Sequence, residues 1–129
     1  MKVVLRELEG ELAIVQLAPH VGIPAWLNIA AQPLISVTYT EDELSLVCPA
    51  GDVPSGVKCE SGWRALRVEG KIDFSAVGIL AGILQPLAEA GISIFALSTF
   101  DTDYILVRSG AMEAAKAALG SRFEIRATE

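Results

Sequence analysis

Two short polar stretches carry the residues that could do chemistry in this chain. Asp101 and Asp103 lie two positions apart, between two apolar runs of β-forming residues. Such a pair could act as general acid and base or hold a divalent cation, but no third carboxylate, His or Lys recurs close by. An acid–base enzyme or a metal site is therefore poorly supported. Asp103 lies nearer the following strand and is the better candidate for binding an ammonium or guanidinium group, whereas an ordinary turn aspartate would only cap its own backbone.

The second stretch opens an apolar segment. Ser75 is a good helix N-cap, and the residues after it place apolar side chains on one helical face, namely Val77, Leu80, Leu84 and Leu87. The pattern predicts a helix over 77–90 that ends at Gly91 in the left-handed conformation. The backbone N–H groups of Val77 and Gly78 would lie at the positive end of this helix, where a carboxylate could bind. Helix capping without any ligand is the ordinary explanation of such a serine.

Two residues fit this helix poorly. A glycine in the first turn costs about 1 kcal/mol relative to alanine, so the close approach of a ligand, a partner or the sheet would explain Gly78. Pro86 removes a helical hydrogen bond and predicts a kink or a boundary.

The elements that position the two stretches follow in a regular order. Strands are predicted over 64–68, 92–98 and 104–108, with a last strand through Phe123, Ile125 and Ala127. A second helix is predicted over 111–119, with Ser109 as its N-cap and Gly120 at its end. The order strand, helix, strand, strand, helix, strand is that of an α+β ferredoxin-like fold (βαββαβ).

The first half of the chain repeats this order less completely. Its strands are predicted over 2–8, 11–17, 34–39 and 44–48. The first two form a hairpin at Glu9-Gly10, with the charged first strand at a sheet edge, and the last two form a hairpin through 40–43. A short helix is predicted from Pro24 to Ala30. The Pro- and Gly-rich stretch 49–62 marks the division, which gives halves of 1–61 and 62–129.

Composition excludes several classes of function. The chain of 129 residues is 52% apolar and 20% charged, which is typical of a folded protein. A net charge of −6 without any basic run argues against nucleic acid as a partner. Prolines and polar residues interrupt the uncharged segment between Glu11 and Glu41, and the apolar segment 74–88 is too short to span a membrane. Charges close to Met1 argue against a signal peptide, so we expect a cytoplasmic protein.

The remaining reactive residues do not form a site. Cys48 and Cys59 have neither a C-x-x-C spacing nor histidine partners, and His20 is the only histidine. We expect two reduced thiols, no metal and no cofactor.

Three segments of the second half resemble the ACT domain, and the string from Ser98 is the most specific of them. These segments are Asp73-Phe74-Ser75-Ala76-Val77-Gly78-Ile79-Leu80, Pro86-Leu87-Ala88 with Gly91-Ile92-Ser93, and Ser98-Thr99-Phe100-Asp101-Thr102-Asp103-Tyr104-Ile105-Leu106-Val107. The stretch 38–45 also resembles the N-terminal module of such proteins, so the resemblance covers most of the chain. More narrowly, the chain is similar to small bacterial tandem-ACT proteins and to the ACT modules of the eukaryotic cytosolic arginine sensors.

The resemblance implies two tandem ACT-like halves in a regulatory protein that binds a free amino acid. It places the ligand at the first strand-to-helix loop of the second half, from Asp73 to Ile79. Ser75, Gly78 and Ile79 match positions that line the pocket, and Asp103 matches an acidic position that contacts the ligand. The predicted ligand-binding residues are Asp73, Ser75, Ala76, Val77, Gly78, Ile79, Ser98, Thr99, Asp101 and Asp103.

We therefore expect a non-enzymatic amino-acid sensor that forms a homodimer and regulates a protein partner, with the ligand at an interface between modules. One alternative is a structural module that docks on an enzyme or transporter without any ligand. A small hydrolase or isomerase is a third possibility.

Overall fold

The computed structural model describes residues 3–69 and 78–127. The chain divides into two compact units, residues 10–63 and residues 1–9 with 64–129. The strands are β1 Val4–Glu7, β2 Leu12–Leu17, β3 Ser36–Tyr39, β4 Leu44–Pro49, β5 Cys59–Val68, β6 Ile94–Ser98, β7 Asp103–Arg108 and β8 Glu124–Arg126. The helices are α1 Ile79–Glu89 and α2 Met112–Leu119, and short 3-10 turns span Ala50–Asp52 and Ser109–Ala111.

The unit formed by 1–9 and 64–129 has the predicted ferredoxin-like order, from β5 through α1, β6, β7 and α2 to β8. Its strands lie in the order β6-β7-β5-β1-β8. The first strand of the chain is thus placed between the first and last strands of the βαββαβ unit. Leu5 lies opposite Val68 in an antiparallel pair and opposite Ile125 in a parallel pair.

The position of β1 corrects two predictions. It is an interior strand rather than an edge strand, and it pairs with β5 and β8 rather than forming a hairpin with β2. The charges of β1 are compatible with an interior position because each meets an opposite charge. Arg6 contacts the Glu69 carboxylate, and Glu7 contacts Arg64 at 3.1 Å and Lys116 at 2.8 Å.

One apolar core holds the sheet and both helices of this unit together. It contains Leu5, Leu66, Val68, Ile83, Leu87, Ile105, Val107, Met112, Ala115, Leu119 and Phe123. Leu66 and Val68 alternate with Arg67 along β5, so the core lies on one face of the sheet and Arg67 on the other. Burial of these side chains is the main stabilising term of the unit.

Helix α1 ends as predicted. Gly91 has a φ of 72°, its N–H donates to the Ala88 carbonyl at 3.0 Å, and the Ile92 N–H donates to the Leu87 carbonyl at 2.9 Å. These two bonds form a Schellman motif. Pro86 is not a boundary, since the helix continues through it and the Ala90 N–H donates to the Pro86 carbonyl.

Helix α2 begins later than predicted. The 3-10 turn Ser109–Ala111 precedes it, and its N-cap is Ala111 without a side-chain hydrogen bond. Ser109 is therefore not the N-cap. Gly120 is the C-cap, as expected, in a right-handed conformation.

The unit 10–63 contains the strands β3, β4, β2 and the beginning of β5, in that order. The predicted hairpin through 40–43 is confirmed, with Thr38 opposite Ser45 and Tyr39 opposite Leu44. The pairing of β2 with β5 shifts between Leu12 and Ile14, which lie opposite Trp63 and Glu60. Three steps along β5 thus match two along β2, a bulge at which Gly62 has a φ of 82°.

The helix predicted from Pro24 to Ala30 is wrong. Turns occupy this stretch, closed by the Leu27 N–H on the Pro24 carbonyl and by the Ala31 N–H on the Asn28 carbonyl. The Asn28 side chain accepts the Ala30 N–H at 3.1 Å. Such a side-chain bond replaces a helical one and stops propagation. Leu27 still packs into a core that contains Val15, Leu44, Leu46 and Cys48.

The place of β1 gives a direct test. Leu5 is fully buried in the core with Leu66 and Ile83, so Leu5→Ala should lower the free energy of unfolding by about 2–5 kcal/mol. In hydrogen exchange followed by mass spectrometry, the variant should exchange faster in α1, β7 and α2. The matched variant Leu46→Ala, in the core of the unit 10–63, should instead speed exchange in β2 and β4. Faster exchange in β2 and β4 alone for Leu5→Ala would contradict the assignment of β1.

Candidate functional site

The hairpin of β6 and β7 brings together three of the predicted site residues. Ser98 lies opposite Asp103, and its hydroxyl donates a hydrogen bond to the Asp103 carboxylate. The Thr99 N–H donates to the Thr102 carbonyl at 2.8 Å and closes the turn. Asp101 lies exposed at the tip of this turn. The Asp103 carboxylate is thus held in a fixed orientation by a neutral donor.

Thr102 fixes the turn to the end of β5. Its side chain is 8% exposed, and its hydroxyl donates to the Val68 carbonyl at 2.7 Å. Val68 is the last residue of β5, so the hydrogen bond joins the hairpin turn to the point where the strand leads into the strand-to-helix segment. Thr102 is not among the site residues predicted from the sequence. Its place in the specific string at 98–107 was visible, but its burial and its long-range acceptor were not.

The Ser98–Asp103 pair lies on the helix-covered face of the sheet. Asp103, Ile105 and Val107 point to one face of β7 because side chains alternate along a strand. Ile105 and Val107 belong to the core formed with α1 and α2. Asp103 is half-buried at the end of this row, at the edge where the core meets solvent.

Helix α1 begins at Ile79 rather than at residue 77 as predicted. Gly78 is its N-cap, with φ 85° and ψ −8°, and a glycine has no side chain that could cap the helix. Its carbonyl accepts the Gly82 N–H at 2.8 Å, the first helical bond. Ser75 is therefore not the N-cap of this helix. The free N–H groups at its beginning are not those of Val77 and Gly78, as predicted, but those of the residues after Gly78. Helix geometry leaves the N–H groups of Ile79, Leu80 and Ala81 without intrahelical acceptors.

The backbone conformation at position 78 explains why a glycine occurs there. A φ of 85° lies in the left-handed region, which costs most other residues about 1–2 kcal/mol. Among the described residues other than its chain neighbours, no heavy atom lies within 4 Å of a Cβ built at this position. The left-handed φ, and not close packing against these described atoms, therefore accounts for a glycine here.

The other predicted site residues fall into two groups. Asp73, Ser75, Ala76 and Val77 lie outside the described residues. Ile79 begins α1, is half-buried and packs against the core of its unit. Gly78 lies beside it and is exposed.

A cluster of opposite charges at the end of β5 was also missed from sequence. Glu69 contacts Arg6 and, at 3.3 Å, Arg67. The hydrogen bond from Arg6, together with that from Arg67, lowers the pKa of Glu69 below its usual value of 4.5 despite partial burial. Arg6 also donates to the Ala127 carbonyl at 2.9 Å. The cluster ties β1, β5 and the C-terminal segment together next to the strand-to-helix segment.

The two cysteines differ in their surroundings. Burial, with smaller contributions from Asp52 and Cys59, raises the pKa of the Cys48 thiol to about 11. The thiol is protonated at neutral pH and is a poor nucleophile. Cys59 is exposed. Within residues 3–69 and 78–127, no three His, Cys, Asp or Glu side chains are grouped so that they could hold a metal ion.

Comparison with known proteins identifies the family. An ACT-domain model matches residues 58–121, and a model of another family's N-terminal domain matches residues 10–56. A protein from Agobacterium tumefaciens, solved by X-ray crystallography in a structural genomics programme, is 33% identical with a TM-score of 0.91 and covers 100% of this chain and 96% of its own. The chain belongs to the ACT-domain family. No curated protein matches it.

Structures of lower sequence identity share the fold. A Vibrio cholerae protein of unknown function, described as a possible transport protein, is 20% identical with a TM-score of 0.74, over 93% of this chain and 89% of its own. The ligand-free regulatory subunit of aspartate kinase from Thermus thermophilus is 14% identical with a TM-score of 0.64, over 91% of this chain and 95% of its own.

Membership in the ACT family supports a regulatory role that depends on a small molecule. Neither helix in the described ranges has the length and apolar character needed to cross a membrane.

The anchor of the hairpin turn can be tested by an isosteric change. Thr102→Val removes the hydroxyl and leaves the Val68 carbonyl without this donor, so stability should fall by about 1–3 kcal/mol. Hydrogen exchange at 99–103 should become faster. Thr99→Val, whose hydroxyl makes only longer bonds of 3.3 and 3.4 Å with Thr102, should have a smaller effect. Equal effects of both variants would show that the Val68 bond does not anchor the turn.

Acid titration tests the charge cluster. Because the folded-state pKa of Glu69 is lowered, its stabilising contribution is present above the unfolded pKa and is lost as pH falls through the folded pKa. The free energy of unfolding in urea should therefore fall between pH 6 and pH 3 by about 1 kcal/mol less in Glu69→Gln than in the unsubstituted protein. Glu41→Gln, at an exposed turn, serves as control. A Glu69→Gln profile as steep as that of the unsubstituted protein would contradict the assignment.

Proposed function

We propose that the protein is a non-enzymatic regulatory protein that binds a free amino acid at the strand-to-helix loop of its C-terminal ACT domain. The observation that carries the proposal is the anchored hairpin turn. Thr102 holds the turn against the end of β5, and Ser98 orients the Asp103 carboxylate within it. An oriented acid in a turn that is fixed to the end of β5 is suited to the recognition of a small cationic group.

The two charged groups of an amino acid have plausible partners in this arrangement. The N–H groups at the beginning of α1 provide donors for the ligand carboxylate. Asp103, with Ser98, would accept a hydrogen bond from the ligand ammonium or from a cationic side chain. Asp101, Thr99, Gly78 and Ile79 complete the described part of the proposed site. The contributions of Asp73, Ser75, Ala76 and Val77 remain predictions.

A binding role also fits the chemistry of the described residues better than catalysis. In the described part of the turn, the Asp103 carboxylate is oriented by the Ser98 hydroxyl, a neutral group that does not titrate near pH 7. General acid–base catalysis needs a second titratable group within reach of the same substrate. We therefore assign the site to recognition, in a cytoplasmic protein that needs neither a cofactor nor nucleic acid.

Regulation by binding requires two states that bind the ligand with different affinity, and an association equilibrium can provide them. We propose that the protein forms a homodimer, which acts on a regulated protein partner. The division into tandem ACT-like halves, 1–61 and 62–129, is part of this proposal, with the ligand at an interface between modules.

A thermal-shift screen against the common amino acids tests the proposal. At least one amino acid should raise the melting temperature, and Asp103→Asn should weaken its binding by about 10–100-fold, since a hydrogen bond to a charged group contributes about 1.5–3 kcal/mol. Ser98→Ala, which removes only the orienting hydroxyl, should weaken binding less.

Asp42→Asn, in the exposed turn of the other hairpin, is the matched control and should leave binding unchanged. Absence of any shift for the unsubstituted protein, or undiminished binding by Asp103→Asn, would contradict the proposed site. A protein partner that co-purifies at constant stoichiometry without regard to amino acids would instead favour a ligand-free docking module.

A further inference from the structure

Strand β3 forms an exposed, uncharged sheet edge. In the strand order of its unit it is terminal, and β4 is its only partner among the described strands. Val37 is 37% and Tyr39 is 50% exposed. Native proteins usually protect such an edge with charged residues, proline or a covering segment. Here Thr38 lies between two exposed apolar side chains, and the strand itself carries no charge.

The surroundings of β3 are apolar as well. Of the six large apolar side chains exposed in the described part of the chain, five lie between residues 21 and 39, namely Val21, Ile23, Ile29, Val37 and Tyr39. The Tyr39 hydroxyl donates to the Val21 carbonyl at 2.8 Å, which holds the loop at the end of the strand. No charged residue occurs between Glu11 and Glu41 in a chain of net charge −6. Two copies of this acidic protein would meet with least repulsion at such a surface.

The register of the β3–β4 hairpin shows which backbone groups face outward. The Thr40 N–H donates to the Glu43 carbonyl at 2.9 Å, so Thr40 and Glu43 form a hydrogen-bonded pair. Such pairs alternate along an antiparallel ladder. Thr38, opposite Ser45, therefore directs its backbone groups toward β4. Val37 and Tyr39 direct their N–H and C=O groups toward the open edge.

We propose that β3 pairs with β3 of a second copy, antiparallel, about a two-fold axis at Thr38. This inference rests on the self-association part of the proposed function and names its surface. Each Val37 then lies opposite the partner's Tyr39, with their outward N–H and C=O groups joined in hydrogen bonds. The two Thr38 side chains lie opposite each other on the other face.

Both kinds of cross-strand contact are favourable. Pairs of an aromatic with a β-branched residue, and pairs of threonines, both stabilise antiparallel strand pairing. The antiparallel direction also separates the acidic turns at 41–43, because each turn lies beside the uncharged beginning of the partner's β3. A parallel arrangement would bring the two acidic turns together. The charge pattern thus favours antiparallel over parallel pairing of the two β3 strands.

A charge at the centre of the pair tests the surface. Thr38→Lys would place two ammonium groups opposite each other, so the dissociation constant of the dimer should rise by about 10-fold or more in analytical ultracentrifugation. The matched variant is Ala96→Lys, an exposed position on β6, which is the terminal strand of the other unit. Ala96→Lys should leave the dimer intact. A monomeric unsubstituted protein, or dissociation by Ala96→Lys and not by Thr38→Lys, would overturn the proposal.

A disulfide tests the register without adding charge. Opposite residues of a non-hydrogen-bonded pair have Cα atoms about 4.5 Å apart, within the range of a disulfide. In a Cys59→Ser background, which removes the exposed thiol, Thr38→Cys should form a covalent dimer under mild oxidation faster than Val37→Cys. Faster cross-linking of Val37→Cys, or none by either variant, would overturn the register.

Thermal shifts measured on Thr38→Lys with amino acids separate this inference from ligand binding. If Thr38→Lys dissociates the dimer, the β3 surface is supported, whether or not an amino acid still raises the melting temperature of the variant. If Thr38→Lys remains a dimer, the β3 surface is wrong, whether or not an amino acid binds.

Discussion

The pairing of β1 on both of its sides is the constraint on which the described C-terminal unit depends. Without a strand between β5 and β8, both would present open edges within the unit, and Leu66 and Val68 would lose Leu5 as a neighbour in the core. The first residues of the chain must therefore reach a unit whose other elements begin about 60 residues later. Such long-range contacts require the closure of a long loop, and the entropy lost in this closure opposes folding until the contacts have formed. The unit 10–63 is in effect an insertion between β1 and the rest of its sheet.

Strand β5 is where the two units share backbone. Its first part pairs with β2, up to Trp63, and its second part pairs with β1, from Leu66. The bulge next to Gly62 lies just before this change of partner, and bulges bend a strand and increase its twist. The same strand ends at Val68, where Thr102 holds the hairpin turn. The geometry of the proposed ligand site is thus set by a strand that is itself held by the N-terminal residues.

Local signals in the sequence were sufficient where the determining contacts are local. Helix α1 ends at Gly91 through two short-range bonds, from the Gly91 N–H to the Ala88 carbonyl and from the Ile92 N–H to the Leu87 carbonyl. The polar residues 40–43 close the predicted hairpin. The βαββαβ order followed from hydrophobic periodicity for the same reason. The helix from Pro24 failed because the side chain of Asn28 bonds to the backbone of Ala30, a competing interaction that periodicity does not report.

Non-local features could not be predicted in this way. The charges of β1 indicated an edge strand, because a single sequence does not show that Glu7 meets Arg64 and Lys116. Thr102 looked like an ordinary turn residue until its acceptor on Val68 was known. At the candidate site, Ser98, Thr99 and Asp103 were predicted with the help of the family resemblance, and the structure adds how their side chains and backbone are held. For Gly78, the sequence suggested the close approach of a ligand, a partner or the sheet, whereas the structure adds a φ of 85°, which by itself favours a glycine.

The distribution of charge separates the two proposed activities physically. Recognition of a zwitterion needs a few fixed dipoles and one oriented acid, and these lie in the unit that contains Thr102 and Asp103. Self-association of an acidic chain is favoured by an uncharged surface. The segment between Glu11 and Glu41, which has no charged residue, provides such a surface in the other unit. A charged substitution on β3 should therefore disturb assembly without changing the acid of the ligand site. If the two activities are coupled, the backbone of β5 is the covalent element through which a change at one unit can reach the other.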